Sequence, residues 1–146
     1  MPGAIERFRG PYGFLSNFHP ASVSWGGAEY PTAEHLYQAM KARSDGEREW
    51  VRTAPTPAEA KARGRALRMA PGWSGRRVAA MREVLREKFG QHPDLAARLV
   101  ATGDAELVEV NEWGDRFWGR SPDGEGSNWL GGLLMELRRA LREGRG

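Results

Sequence analysis

Apolar and polar positions along the chain change their period several times, and each change marks an element. Two short β-prone pieces, residues 22–25 and 28–30, flank Gly26-Gly27 in the pattern of a small antiparallel hairpin. Residues 33–43 then combine strong helix formers with no breaker before Asp45-Gly46, which predicts a first helix. A second is expected over residues 47–53, closed by Ala54-Pro55. Thr56-Pro57-Ala58-Glu59 opens a third, with a threonine cap, a proline in the first turn and an early acid, running to residue 68. After Pro71-Gly72, Val78, Met81, Leu85 and Phe89 recur at spacings of three and four. This is the apolar stripe of an amphipathic helix over residues 73–89, with Gly90 as its end. Residues 94–101 predict a shorter helix, 107–110 a brief strand, 111–127 a loop studded with glycine, and 128–142 a last helix. The fold class that follows is mainly α: a single helical domain over residues 1–146 with a small antiparallel β element near the N-terminus.

Composition narrows the possibilities. A chain of 146 residues, 40% hydrophobic and 28% charged, suits one core, and no stretch has the bias of a disordered tail. Neither a signal-peptide pattern nor a run of about 18 apolar residues is present, so no membrane association is expected and the cytoplasm is the expected compartment. The absence of cysteine excludes disulfides, thiolate metal sites and cysteine nucleophiles. The net charge of +3 conceals 19 arginines against 3 lysines. Such a balance is compatible with a phosphate-bearing ligand, since the guanidinium fork matches phosphate oxygens, and equally with arginines on solvated helix faces.

Within this frame three regions can carry chemistry. On the first predicted helix, Glu34, Gln38 and Lys41 stand at i, i+4 and i+7, so an acid, an amide and an amine share one stripe beside Tyr37; a solvated face is the competing reading. The uncharged loop before it, Gly13-Phe14-Leu15-Ser16-Asn17-Phe18, holds two phenylalanines. On the third helix, Lys61, Gly64 and Arg65 fall together. A mid-helix glycine costs about 1 kcal/mol relative to alanine, which calls for close approach of a neighbouring helix or a ligand. Where arginine is the rule, Lys41, Lys61 and Lys88 are candidates for a compact, deprotonatable amine. The third region gathers Glu109, Asn111, Trp113, Asp115, Trp118, Gly119 and Asn128. A loop tryptophan can stack on a flat ring or plug the core, and Ser127 or Asn128 can cap the last helix or lead it toward a phosphate. The glycines fit neither a dinucleotide fingerprint nor a P-loop, and no Gly-x-Ser-x-Gly elbow occurs. His19, His35 and His92 have no ligand spacing, so neither a metal nor a cofactor is expected.

Leu15-Ser16-Asn17-Phe18, the block from Glu34 through Gln38 and Lys41 to Ala42, Ala60-Lys61 with Gly64-Arg65, and Trp118-Gly119 with Asn128-Trp129-Leu130-Gly131 together resemble the NADAR (YbiA-like) family, in the family's order, over residues 8–141. The resemblance implies a mainly helical N-glycosidase acting on phosphorylated ribose, of either of two kinds. One removes ADP-ribose from guanine in nucleic acid, as antitoxin to a partner ADP-ribosyltransferase; the other cleaves ribosylamino-pyrimidine intermediates of the riboflavin pathway, a phosphoribosyl small molecule. The first is the leading expectation. By similarity, Glu34 and Asp115 are the catalytic carboxylates, with Lys41 and Lys61 as further catalytic candidates. Asn17, Phe18, Gln38, Arg65, Trp73, Trp118, Gly119 and Asn128 are the substrate-binding set. Glu34 suits the stabilisation of positive charge at the anomeric carbon or the activation of water, while a neutral lysine would instead trap the opened sugar as a Schiff base. A non-catalytic ADP-ribose or nucleic-acid binding module, with Arg138, Arg139 and Arg142 on phosphates, is the reading from a different class.

Overall fold

Gly26 and Gly27 adopt φ of 59° and 83°, conformations that let the chain reverse within two residues. Strands β1 (Val23–Trp25) and β2 (Ala28–Tyr30) therefore pair antiparallel, with Val23 opposite Tyr30 and Trp25 opposite Ala28. The computed structural model describes residues 3–144, so Met1, Pro2, Arg145 and Gly146 of the expected domain lie outside the described residues. The chain packs as two compact units, one formed by Asn17–Gln91 and the other by the residues up to Ser16 together with those from His92 onward.

The Asn17–Gln91 unit holds the hairpin and four helices: α1 (Ala33–Ala39), α2 (Asp45–Arg52), α3 (Pro57–Ala66) and α4 (Trp73–Gln91). Thr32, Ser44 and Thr56 cap the first three, each hydroxyl accepting the N–H of the residue three further on. Caps of this kind contribute about 1 kcal/mol each. Helix α1 packs against α2, α3 and α4, and all seven of its residues are buried. A helix enclosed in this way ordinarily consists of apolar residues. This one carries Glu34, His35 and Gln38, each of which needs a partner inside the protein.

Several expected boundaries move. Helix α1 stops at Ala39 instead of residue 43: the N–H groups of Lys41 and Ala42 reach back only three residues, and the Lys41 carbonyl accepts from Ala70 N at 3.2 Å. Ser44 starts α2 two residues early by capping Glu47 N. Leu67, extended at ψ 147°, ends α3 before residue 68. Gly90 does not end α4, which continues to Gln91 because that side chain clamps the hairpin, accepting from Ser24 N at 2.7 Å and donating to Ser24 O at 2.8 Å. Trp25 Nε1 adds a bond to Glu83 at 2.5 Å.

In the other unit, Gly10–Leu15 forms a 3-10 helix absent from the sequence expectation. The Arg98 guanidinium lies 4.3 Å from the centre of the Phe14 ring and donates to Pro11 O at 2.8 Å. Helices α5 (Pro93–Ala101) and α6 (Trp129–Arg142) pack together, with Leu95, Leu99, Leu130, Leu133, Leu134 and Leu137 buried. The strand expected over residues 107–110 is absent. Among the described residues single bridges form there instead, Ile5 to Leu107 and Val110 to Arg120, and Val110 N is shared between Glu6 O and Val108 O. Asn128 does not cap α6 with its side chain. It sits at φ 50°, and its amide joins Leu107 O at 2.9 Å to Glu109 N at 3.0 Å. Arg138 is buried on Thr102 Oγ1 and Arg142 pairs with Asp104, so both tie α6 to the end of α5; Arg139 is exposed. The fold is mainly helical with one small antiparallel sheet. Among the described residues no helix is long and apolar enough to cross a membrane.

Lys88 on α4 is fully buried, and burial pushes its ammonium from the ordinary 10.5 down to about 7. The unfolded chain then binds more protons than the folded one between those values, so this residue's contribution to stability falls as pH drops from 10.5 to 7 and levels off below. Lys88→Met is expected to fold and to lose this slope, which is about 1.4 kcal/mol per pH unit at its steepest. Urea unfolding of both proteins at pH 6.5, 8 and 9.5 measures it, and parallel pH dependences would show that Lys88 titrates normally.

Candidate active site

The site grows from α1. Thr32 sets the start of the helix, and the carbonyl of Asn17 accepts Glu34 N at 3.0 Å, which fixes the first turn. Glu34 is 7% exposed, and Gln38, one turn along, donates Nε2 to its Oε2 at 2.6 Å. Burial pushes the Glu34 carboxyl above its ordinary value. The Gln38 hydrogen bond and the charges of Lys61, Lys41 and Arg65 pull against that rise. Lys41, just past the helix end, behaves in the opposite sense. Burial draws its ammonium down and Arg65, Lys61 and Arg77 reinforce the effect, while Glu34 opposes it. An acid made weaker and an amine made less basic thus lie in one cluster, an arrangement that narrows the gap between their proton affinities.

Aromatic side chains border this cluster. The Tyr37 and Trp73 rings lie 5.6 Å apart at 52°, Lys41 Nζ is 5.4 Å from the Tyr37 ring centre, and Arg76 is 5.8 Å from that of Trp73. Trp73 is itself only 5% exposed. In this structure Trp73, expected among the substrate-binding residues, packs on Tyr37. Among the described residues of this cluster, two buried acceptors make no hydrogen bond: Gln38 Oε1, and Oδ1 of Asn17, whose Nδ2 donates to Met81 Sδ at 3.3 Å. Phe18 is 41% exposed.

Of the expected site residues, Asn17, Phe18, Glu34, Gln38, Lys41, Lys61, Arg65 and Trp73 fall in the Asn17–Gln91 unit, and Asp115, Trp118, Gly119 and Asn128 in the other. There they organise a loop. Asp115 Oδ1 accepts from Phe117 N at 3.0 Å and Trp118 N at 2.9 Å, while the Asn111 amide brackets Asp115 from both sides. Trp118 stands edge-on to Phe117 at 4.8 Å. A side chain at position 119 would overlap the Glu109 carbonyl and meet Asn111 Nδ2 at 2.6 Å, so only glycine fits. Ser127, Asn128, Trp129, Gly132, Leu133 and Glu136 line an open groove of about 450 Å³ on this unit. Arg77 is the member of the cluster that sequence reasoning missed. It lies four residues after Trp73 on α4, and that spacing was the available signal. Among the described residues no group of three His, Asp or Glu side chains could hold a metal ion.

The sequence model of a family described as NADAR domain matches residues 6–142. N-glycosidase YbiA of Escherichia coli is 41% identical over 132 residues, covering 89% of this chain and 82% of that protein. An N-glycosidase of Nostoc punctiforme is 36% identical over 137 residues, covering 90% and 87%. A Vibrio vulnificus protein named for riboflavin biosynthesis is 42% identical over 134 residues, covering 90% of this chain but 36% of that one. The NMR structure of YbiA superimposes with a TM-score of 0.86 at 38% identity, covering 99% of this chain and 89% of the other.

Because burial raises the Glu34 carboxyl, the folded state retains a proton that the unfolded chain releases earlier. The stability this proton contributes is full below the unfolded value and is lost as pH rises through the folded one. Glu34→Gln is therefore expected to be more stable than wild type at pH 7, with the advantage vanishing near pH 4. The gain amounts to about 1.4 kcal/mol for every pH unit that separates the folded carboxyl's midpoint from the unfolded one. Thermal scans at the two pH values test this; equal midpoints at pH 7 would remove the claim that the carboxylate is costly to bury.

Proposed function

The chain belongs to the NADAR family and is an N-glycosyl hydrolase, and from that premise we propose that it cleaves the bond between a phosphorylated ribose and the amino group of a ribosylamino-pyrimidine, an intermediate of the riboflavin pathway. The observation that carries the reading is buried Glu34 with the half-buried Lys41 amine in its field and Lys61, Arg65 and Arg77 acting on the two. One carboxylate faces several cations, an excess suited to a phosphate, while Glu34 supplies a group for the reacting carbon. Between the two substrate classes implied by the sequence, the names of the Vibrio vulnificus relative and of a maize relative, both riboflavin biosynthesis proteins, favour the pyrimidine over ADP-ribosylated guanine.

In this mechanism the neutral amine of Lys41 adds to the anomeric carbon as the bond to the base nitrogen breaks. The base leaves as the free amine after taking a proton from Glu34; Glu34 then takes a proton from the attached lysine nitrogen and passes it to the ring oxygen as the bond between that oxygen and the anomeric carbon breaks, so the opened sugar remains as a protonated imine on Lys41. Glu34 then deprotonates water, which adds to the imine carbon and releases the sugar phosphate and the lysine amine. The Gln38 bond occupies Oε2 as an acceptor, so the mobile proton of Glu34 resides on Oε1.

Three measurements test this. Incubation with the ribosylamino-pyrimidine phosphate, followed by mass spectrometry, is expected to release free sugar phosphate, and Glu34→Gln to lower kcat by about 10²-fold or more. Cyanoborohydride added during turnover is expected to fix the sugar on Lys41, an adduct absent from Lys41→Met. An oligonucleotide ADP-ribosylated on guanine is the competing substrate. Release from that oligonucleotide alone would transfer the assignment to guanine, and turnover without an adduct would leave Glu34 acting on water directly.

A further inference from the structure

Gln38 lies between two groups, Glu34 on its own helix and Gly64 on α3. Its Nε2 is bonded to Glu34, and its carbonyl end faces Gly64, where any side chain would collide: a Cβ at position 64 would lie 2.8 Å from Gln38 Cδ and 2.9 Å from its Cβ, and closer still to Oε1. With Glu34 ionised, the amide has a single workable orientation. Reversed, it would set its carbonyl oxygen against the carboxylate. The present arrangement instead leaves Oε1 without a hydrogen bond, buried at the glycine. An unsatisfied buried acceptor is ordinarily destabilising by about 1–3 kcal/mol, and glycine within a helix by about 1 kcal/mol. Both penalties fall at one contact, and its other side touches the one carboxylate of the cluster.

We propose that Gln38, seated on Gly64, is a positioning residue that keeps Glu34 ionisable and fixes which of its oxygens exchanges the proton. The inference deepens the reading of this cluster as the hydrolytic site and rests on it for its functional consequence. Gly64 leaves the space that the amide fills, so α3 acts on the carboxylate through Gln38 as well as through its charges. Charged groups facing Glu34 come from two elements: Lys41 from the end of α1, and Lys61 and Arg65 from α3. They act on the carboxylate by their charge. Gln38 acts through a directed bond, and loss of its donor therefore has its own signature, a less acidic Glu34 with every charge still in place.

The test needs no substrate for its first readout. With carboxyl-13C glutamate incorporated and the Glu34 resonance assigned by its absence in Glu34→Gln, Gln38→Met fills the seat at similar volume but cannot donate. It is expected to raise the Glu34 titration midpoint by about one pH unit and to move the acidic limb of kcat upward with it, leaving KM within about threefold. Gly64→Ala keeps the donor and closes the seat. It is expected to shift the midpoint in the same direction in the wild-type background and little in the Gln38→Met background, the non-additivity of residues acting through one contact. A midpoint unchanged by Gln38→Met overturns the proposal, and equal Gly64→Ala shifts in both backgrounds overturn the role of the seat. If Gly64→Ala does not fold, Gln38→Met alone decides. Full activity in Glu34→Gln would instead remove the hydrolytic reading while the titration result stood.

Discussion

A carboxylate held out of water on a helix enclosed on all sides is the constraint from which the rest of the Asn17–Gln91 unit follows. Glu34 cannot be buried unless something donates to it and something balances its charge. Gln38 donates from the same helix, and Lys41, Lys61 and Arg65 provide the balance. His35 shows the same pressure one residue along. Its Nδ1 accepts from the Thr32 hydroxyl at 2.8 Å and its Nε2 donates to Ala54 O at 2.9 Å, with the ring kept neutral by burial, so it fastens the start of α1 to the end of α2. Helix α1 is short and polar for its depth because its neighbours supply these partners.

The unit containing α5 and α6 uses the same residue types differently. Asp115, Asn111 and Asn128 direct their side chains at backbone groups of the loop that precedes α6, where they replace the hydrogen bonds of a strand that does not form. A carboxylate accepting two backbone N–H groups has a structural task already. Glu34 instead accepts from a side chain and lies in the field of Lys61, Lys41 and Arg65. Residue type at a family position does not separate these cases; the partner of each oxygen does.

Much of the architecture was legible in the chain. Helix starts were clear because threonine and proline caps are local, and the i, i+4 spacing of Glu34 and Gln38 put the two side chains in contact on α1, while Lys41 falls just past its end. Helix ends were not. Gln91 extends α4 past a glycine by bonding a strand 67 residues earlier, and Ala70 draws off the Lys41 carbonyl; neither contact has a trace in local periodicity. The mid-helix glycine was legible as a close approach, but its occupant, Gln38, was not, because sequence spacing gives the face of a helix and not the element packed on it. Trp73 has the residue type of a stacking ring, whereas its burial against Tyr37 depends on the crossing of α1 and α4.

The cluster also explains how a small unit can retain groups that weaken it. Glu34 and Lys41 are each shifted toward their uncharged forms, which at neutral pH is a cost to folding and at the same time the condition for exchanging a proton. The compensation is distributed: three side-chain caps at the starts of α1, α2 and α3, and an apolar set that includes Leu36, Tyr37, Ala39 and Ala42 around the polar stripe. Removing any one of these would lower stability without altering the cluster's charges. Removing Glu34 would do the reverse. That opposition between stability and the state of a single carboxylate is the pattern a buried group kept for chemistry would show.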